Sequence, residues 1–310
     1  MKPVPRTRFA PSPTGFLHAG NLWTAFLNWL WTRQHGGILL LRIEDIDRQR
    51  CRAEYARCLM EDLLSLGLDW DEGPVMQHER MDFYGQIRKQ WTEAGWLYPC
   101  YCSRARLQHI ASAPHKGEAL PFYDGHCRSL TPAQRAGETK TPSWRFRTEA
   151  ETVSFRDLLA GIQTASLVPG RDDPVLFRAD GMVSYQLASS ADDGAMGVTH
   201  VFRGRDLLPS AFGQISLIRR MGFSAPVYGH LPLLTDSSGV RLSKRQKGIT
   251  WRELHRDGMS AGRFLGSLLW LAGALPRPES FSARRAAEEI PFEICTRLTE
   301  PHIAVGRIFN

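Results

Sequence analysis

Residues 6–43 read RTRFAPSPTGFLHAGNLWTAFLNWLWTRQHGGILLLRI. RTRF at 6–9 suits a short strand and runs into a Pro/Ser/Gly loop. Leu22, Trp23, Phe26, Leu27, Leu30 and Trp31 then recur at three- and four-residue spacing, the stripe of an amphipathic helix. Gly36 and Gly37 stop that helix. ILLLRI at 38–43 is a nearly continuous apolar run, which suits a parallel strand buried on both faces. A second helix is expected over 51–66, ended by Gly67. Strand, loop, helix, strand, helix in this order predicts the opening of a doubly wound parallel α/β sheet of the Rossmann-like kind.

Further along, cysteines, prolines and glycines cluster from about 98 to 150 and the periodicity weakens. That texture predicts an insertion with its own small fold. Strand and helix patterns return at 175–178, 182–190 and 200–203, followed by a helix at 207–221 and a loop at 235–248. The last 62 residues, 249–310, read as helical. The expected organisation is therefore 1–97 and 151–248 as the two halves of a nucleotide-binding domain, 98–150 as an inserted subdomain, and 249–310 as a short helical C-terminal part.

The composition of the 310 residues, 43% hydrophobic and 23% charged, is that of a globular chain and argues against disorder or a coiled coil. The longest apolar run, FLGSLLWLAGAL at 264–275, is far short of the roughly 20 residues that cross a bilayer. MKPVPRTRF at the start lacks the apolar segment of a secretory signal. The expectation is a cytoplasmic protein with no membrane partner. Its net charge of +7 suggests a polyanionic partner, nucleic acid before membrane, against the plainer reading of a merely basic surface.

Two loops carry the chemistry. In RFAPSPTGFLHAGN, 8–21, a strand hands over to a helix whose N-terminus faces an open cleft, a place where anions bind. His18 could donate to phosphate, and Gly20 could let a nucleotide approach the backbone. Alone, this is a proline-rich turn with an incidental histidine. In TDSSGVRLSKRQKG, 235–248, Arg241, Lys244 and Lys247 could close over a triphosphate. Alone, that is a solvated basic loop.

Taken together the loops resemble the HIGH and KMSKS signatures of class I aminoacyl-tRNA synthetases. RFAPSPTG at 8–15, IEDID at 43–47, MVSYQLA at 182–188 and VFRGRDL at 201–207 resemble the glutamate-specific branch. The resemblance implies that Arg8, Ala10 and Ser12 contact L-glutamate, with Arg8 on a carboxylate. It implies that Glu44 holds the substrate ammonium and that Tyr185 and Arg203 complete the pocket. His18 and Lys244 would stabilise the adenylation transition state, and Gly20 and Asn21 would join them in binding ATP. Asn21 stands where the motif has histidine, and Leu242 where it has methionine. Mg²⁺ is expected with ATP from phosphate chemistry, without a dedicated carboxylate cluster.

Six cysteines in a reducing compartment argue against disulfides. Cys100, Cys102 and Cys127 are spaced for a tetrahedral structural zinc that lacks one ligand. Tyr123 and His126 are the candidates, with His109 and His115 more distant; ordinary pKa values favour His126. Cys-x-Cys…Tyr-x3-Cys, however, resembles the zinc pattern of the glutamyl-queuosine tRNA(Asp) synthetases, shorter paralogues of the glutamate enzymes. That resemblance implies Tyr123.

It also implies the acceptor. Glutamyl-tRNA synthetases continue into a helical anticodon-binding region, and 62 residues after the second loop are too few for one as well as the end of the catalytic body. The shorter family loads glutamate onto the cyclopentene ring of queuosine at the wobble position of tRNA(Asp), docking the anticodon stem-loop. The expectation is a monomeric ligase of that kind. Two alternatives stay open: a compact synthetase charging tRNA(Glu), and an inactive tRNA-binding paralogue.

Overall fold

The structure, a computed structural model, describes residues 3–103, 105–107, 123–236, 238–240, 242 and 250–306. β1 (Arg6–Phe9), β2 (Ile38–Ile43) and β3 (Glu72–Met76) form a parallel sheet in that order, with Arg6 opposite Ile38 and Phe9 opposite Leu41. β9 (His200–Gly204) and β10 (Val227–Leu231) form a second parallel pair. The Thr199 N–H donates to the Arg6 carbonyl at 2.8 Å, which brings β9 against the free edge of β1. Strand order therefore runs outward in two directions from the β1/β9 boundary. That boundary is the switch point at which doubly wound folds place their ligands.

Helices cover both faces, as the expected fold class requires. α1 (Ala19–Gln34) and α2 (Ala53–Ser65) lie on one face, where Leu22, Phe26 and Leu30 meet Phe264, Leu268 and Ala286 of the C-terminal helices Ala261–Leu271 and Ala283–Glu289. α1 is buried on more than the apolar stripe its spacing suggests, because those C-terminal helices cover its outer side. Its polar residues are satisfied: Asn28 donates to the Arg8 carbonyl at 2.9 Å, and Thr32 to the Asn28 carbonyl at 2.7 Å. On the other face, Ala211 and Ile215 of the helix Leu208–Arg220 pack on Val201 and Tyr228.

The inserted region is built on antiparallel pairing. β4 (Leu97–Cys100) and β5 (Ser143–Phe146) take their third strand from β8 (Val175–Phe177), which lies past residue 150. Between them stands a hairpin absent from the sequence reading, β6 (Glu151–Asp157) and β7 (Gly161–Leu167). Its inward side chains, Val153 and Leu167, pack on the Val201 and Tyr228 cluster. The stretch read as wholly helical also contains a strand. β12 (His302–Ala304) pairs in parallel with β11 (Leu233–Thr235), which precedes the second loop. Among the described residues no helix is long and apolar enough to cross a membrane.

Candidate active site and metal cluster

A cleft of about 360 Å³ opens at the carboxyl ends of β1, β2 and β9. Arg8 sits near the end of β1, Glu44 directly after β2 and Arg203 near the end of β9, so three separate strands deliver three charges to one cavity. Ala10 and Ser12 of the first loop, His18, Gly20 and Asn21 at the start of α1, and Tyr185 at the start of the helix Tyr185–Ala195 line the same cleft. Lys244, Arg241 and Lys247 lie outside the described residues. Leu242 is described: it is buried, its N–H donates to the Leu234 carbonyl at 2.9 Å, and it lines the cleft.

The helix start is organised by its own side chains. His18 caps α1, its Nδ1 accepting from the Gly20 N–H at 3.0 Å, while the Asn21 side-chain oxygen accepts from the His18 backbone N–H at 3.4 Å. A Cβ on Gly20 would stand 2.9 Å from His18 Cε1. Glycine is required here first by the folded-back imidazole.

Beneath the cleft lies an ion network that the sequence reading missed. Asp193, 4% exposed at its side chain, accepts from Arg8 Nε at 3.1 Å and from Arg42 Nη1 at 2.7 Å. Arg42 also reaches Glu44 at 3.3 Å. Neighbouring Asp192 accepts from Arg80 at 2.7 Å and from the Tyr84 hydroxyl at 2.8 Å. Burial pushes the Glu44 carboxyl up, and the Arg42 and Arg8 guanidiniums pull it back only in part. A cation entering the cleft would relieve that imbalance. Asp193 titrates low: burial alone would raise it, and Arg8 and Arg42 outweigh burial. One signal was available, since Arg42 is a charge inside an apolar run and a buried charge needs a partner.

Arg203 is held on several sides. Its Nε donates to His230 Nε2 at 3.0 Å, Nη1 to Gln214 Oε1 at 2.6 Å, and Nη2 to the Leu207 carbonyl at 3.2 Å. A second cleft of about 420 Å³ shares Ser12, Thr14, Glu44 and Tyr185 with the first and adds Asp47, Arg50 and Arg178.

In the inserted region the thiol sulfurs of Cys100, Cys102 and Cys127 lie within 4.8 Å of one another. The Tyr123 hydroxyl is 3.8 Å from Cys100 Sγ and accepts from the Cys127 N–H at 2.9 Å. His126 is exposed, whereas Tyr123 is 3% exposed; His109 and His115 lie outside the described residues. Arg145, also unforeseen, donates to Cys100 Sγ at 3.3 Å and stacks 3.8 Å from the Tyr123 ring centre. Burial opposes ionisation of Cys100, but Arg145 outweighs it and holds the thiol below its usual range. Cys102 is pushed up to about 12 by burial and by the neighbouring Cys100. Burial and Cys100 push the Tyr123 phenol up too, so a cation must itself displace that proton. Three sulfurs, one phenol and a guanidinium to offset excess anionic charge fit a zinc ion.

A family model described as the catalytic domain of class I tRNA synthetases (E and Q) matches residues 5–274. The chain belongs to this family. The synthetase is 46% identical to a protein of Symbiobacterium thermophilum named Glutamyl-Q tRNA(Asp) synthetase, across 95% of this chain and 94% of that one. It is 39% identical to Glutamate--tRNA ligase 1 of Alkalilimnicola ehrlichii, covering 89% of this chain and 58% of the relative. Among solved structures, a glutamate tRNA ligase from Elizabethkingia meningosepticum in complex with its amino acid superposes with a TM-score of 0.76 at 27% identity, covering 94% of this chain and 65% of that one.

Proposed function

We propose that this synthetase activates L-glutamate with ATP and transfers it to the queuosine base of tRNA(Asp). The observation that carries the reading is identity of 43–46% with three relatives named Glutamyl-Q tRNA(Asp) synthetase, against 39–40% with the first relatives named as glutamate–tRNA ligases. Charging of tRNA(Glu) is the second reading, supported by those ligases.

In the first step a glutamate α-carboxylate oxygen attacks the α-phosphorus of ATP, and pyrophosphate leaves. Arg8 and Arg203 face the side-chain carboxylate, and Glu44, short of positive charge, takes the ammonium. His18 donates to phosphate from the helix start, with Gly20 and Asn21 beside it, and Lys244 neutralises the departing pyrophosphate. In the second step a hydroxyl of the queuosine ring attacks the acyl carbon and AMP leaves. The second cleft, sharing Glu44 and Tyr185 with the first, is the entry for that base, and Arg50 and Arg178 suit its flanking phosphates.

Zinc held by Cys100, Cys102, Cys127 and Tyr123 would be structural, since four protein ligands leave no open position for water. Mg²⁺ accompanies ATP. A tRNA partner and a net charge of +7 suit a cytoplasmic monomer. The first test is ATP–pyrophosphate exchange without tRNA. Exchange with glutamate but not with glutamine or aspartate is expected; exchange that requires tRNA contradicts the reading.

A further inference from the structure

Behind Arg203, away from the cleft, two more polar side chains are fully buried. His230 is 0% exposed and stands directly opposite Arg203 in the β9–β10 register. Asp157, 1% exposed, ends β6 of the hairpin. Asp157 Oδ2 pairs with His230 Nδ1 at 2.6 Å, and Arg203 Nε reaches His230 Nε2 at 3.0 Å. The three form a chain from hairpin to cleft.

Donor and acceptor roles along it are fixed from both ends. A guanidinium Nε can only donate, so His230 Nε2 must be the acceptor. The imidazole proton is then on Nδ1 and is donated to Asp157. This is the neutral ring: burial drives the His230 pKa down and Arg203 and Arg205 add to that, while Asp157 opposes it. Tyr228 stacks on the ring, with centroids 5.6 Å apart at 10°. Both Asp157 oxygens also accept from the His230 backbone N–H at 3.2 Å, and Oδ1 has a further task. Oδ1 accepts from the backbone N–H groups of Leu159 at 2.9 Å and Ala160 at 2.8 Å, closing the hairpin turn.

We propose that Asp157 and His230 are positioning residues that fix the tautomer and so the orientation of the Arg203 fork toward the substrate carboxylate. The inference rests on the glutamate role proposed for Arg203. It gives the hairpin β6–β7 a part in amino-acid selection although none of its residues lines the cleft.

Asp157→Asn separates positioning from mere support. Its Oδ1 can keep both turn hydrogen bonds, while its amide donates to His230 Nδ1. The ring proton must then move to Nε2, where it meets the Arg203 Nε–H; a reversed tautomer is what an Asp-to-Asn change produces beneath a histidine. His230→Gln breaks the tie to Asp157 but offers an oxygen to Arg203.

The experiment is ATP–pyrophosphate exchange on the full chain for Asp157→Asn, His230→Gln and Arg203→Lys, with thermal melting of each. The expected result for Asp157→Asn is a KM for glutamate raised roughly 10–100-fold, from one buried donor left facing another, with the KM for ATP unchanged. His230→Gln should retain more glutamate affinity than Asp157→Asn. A wild-type glutamate KM in Asp157→Asn, beside a raised one in Arg203→Lys, overturns the positioning role and leaves the pocket standing. Equal losses for ATP and glutamate that follow a lowered Tm also overturn it. A normal glutamate KM in Arg203→Lys removes Arg203 from the pocket, and the inference goes with it.

Discussion

Asp193 holds two guanidiniums from two strands, and 4% of its side chain is exposed. Neutralising it leaves Arg8 and Arg42 buried against a weaker acceptor. Asp193→Asn should therefore cost about 3 kcal/mol of stability, the low end for breaking a buried pair, measured by urea denaturation. Its glutamate KM should rise as well, since Arg8 loses its anchor. Lys244→Ala should lower the exchange rate on the order of 10²–10³ with the glutamate KM nearly unchanged, because a charge used as pyrophosphate develops contributes to the transition state more than to binding. Equal damage to rate and affinity would contradict that role. Arg8, Glu44, Tyr185 and Arg203, which line the cleft, were readable as candidates because each lies in a short ordered motif. Asp193 and Arg42 were not, because they meet across 151 positions of sequence and no local pattern joins them. Arg145 escaped for the same reason: it meets Cys100 across β4 and β5.

The elements that were easiest to read are those with one period and clear stops. β2 spans the six residues of its apolar run, and Gly67 follows α2 with φ of 73°. The hairpin β6–β7 was harder, since its outer face pairs Thr152 with Ser166 and Ser154 with Thr164 and offers little apolar contrast. β12 has three residues, too few for any periodicity. At the start of α1, Gly20→Ala should disturb the His18 ring more than the helix. Alanine favours helix, yet its Cβ would collide with the imidazole. The expected outcome is an unchanged or slightly altered Tm with a reduced exchange rate. At the cysteine cluster proposed to hold zinc, purified protein should carry about one zinc per chain by elemental analysis. Cys127→Ser should lose zinc and tRNA transfer while keeping most of the exchange activity, as the cluster is not among the cleft residues. Full zinc retention in Tyr123→Phe, with loss in His126→Ala, would identify His126 as the fourth ligand instead.

Across the whole molecule, two acid–base effects oppose one another. His230 has a lowered pKa in the fold, so its contribution is present above about 6.5, the ordinary value, and is lost as pH falls. Asp157 is also held low: burial opposes this, but His230 and the turn N–H groups prevail. Its share is lost only at more acidic pH. Asp62 is raised to about 6 by burial against the pull of Arg252, so its contribution is present in acid and is lost as pH rises through about 6. His230→Gln should accordingly lose less stability than the parent chain between pH 7.5 and 5.5, in paired urea titrations. Parallel profiles would show that His230 is not neutral in the fold. The architecture places the cleft where β1 and β9 part, and motifs far apart in the chain converge there. This cleft is proposed to serve an acceptor base in tRNA(Asp). The direct measurement is transfer of labelled L-glutamate from ATP-driven activation to tRNA(Asp) prepared with and without queuosine, with tRNA(Glu) alongside. Label is expected on the queuosine-containing tRNA(Asp) alone; equal labelling without queuosine, or label on the 3′ end of tRNA(Glu), would contradict the proposed function.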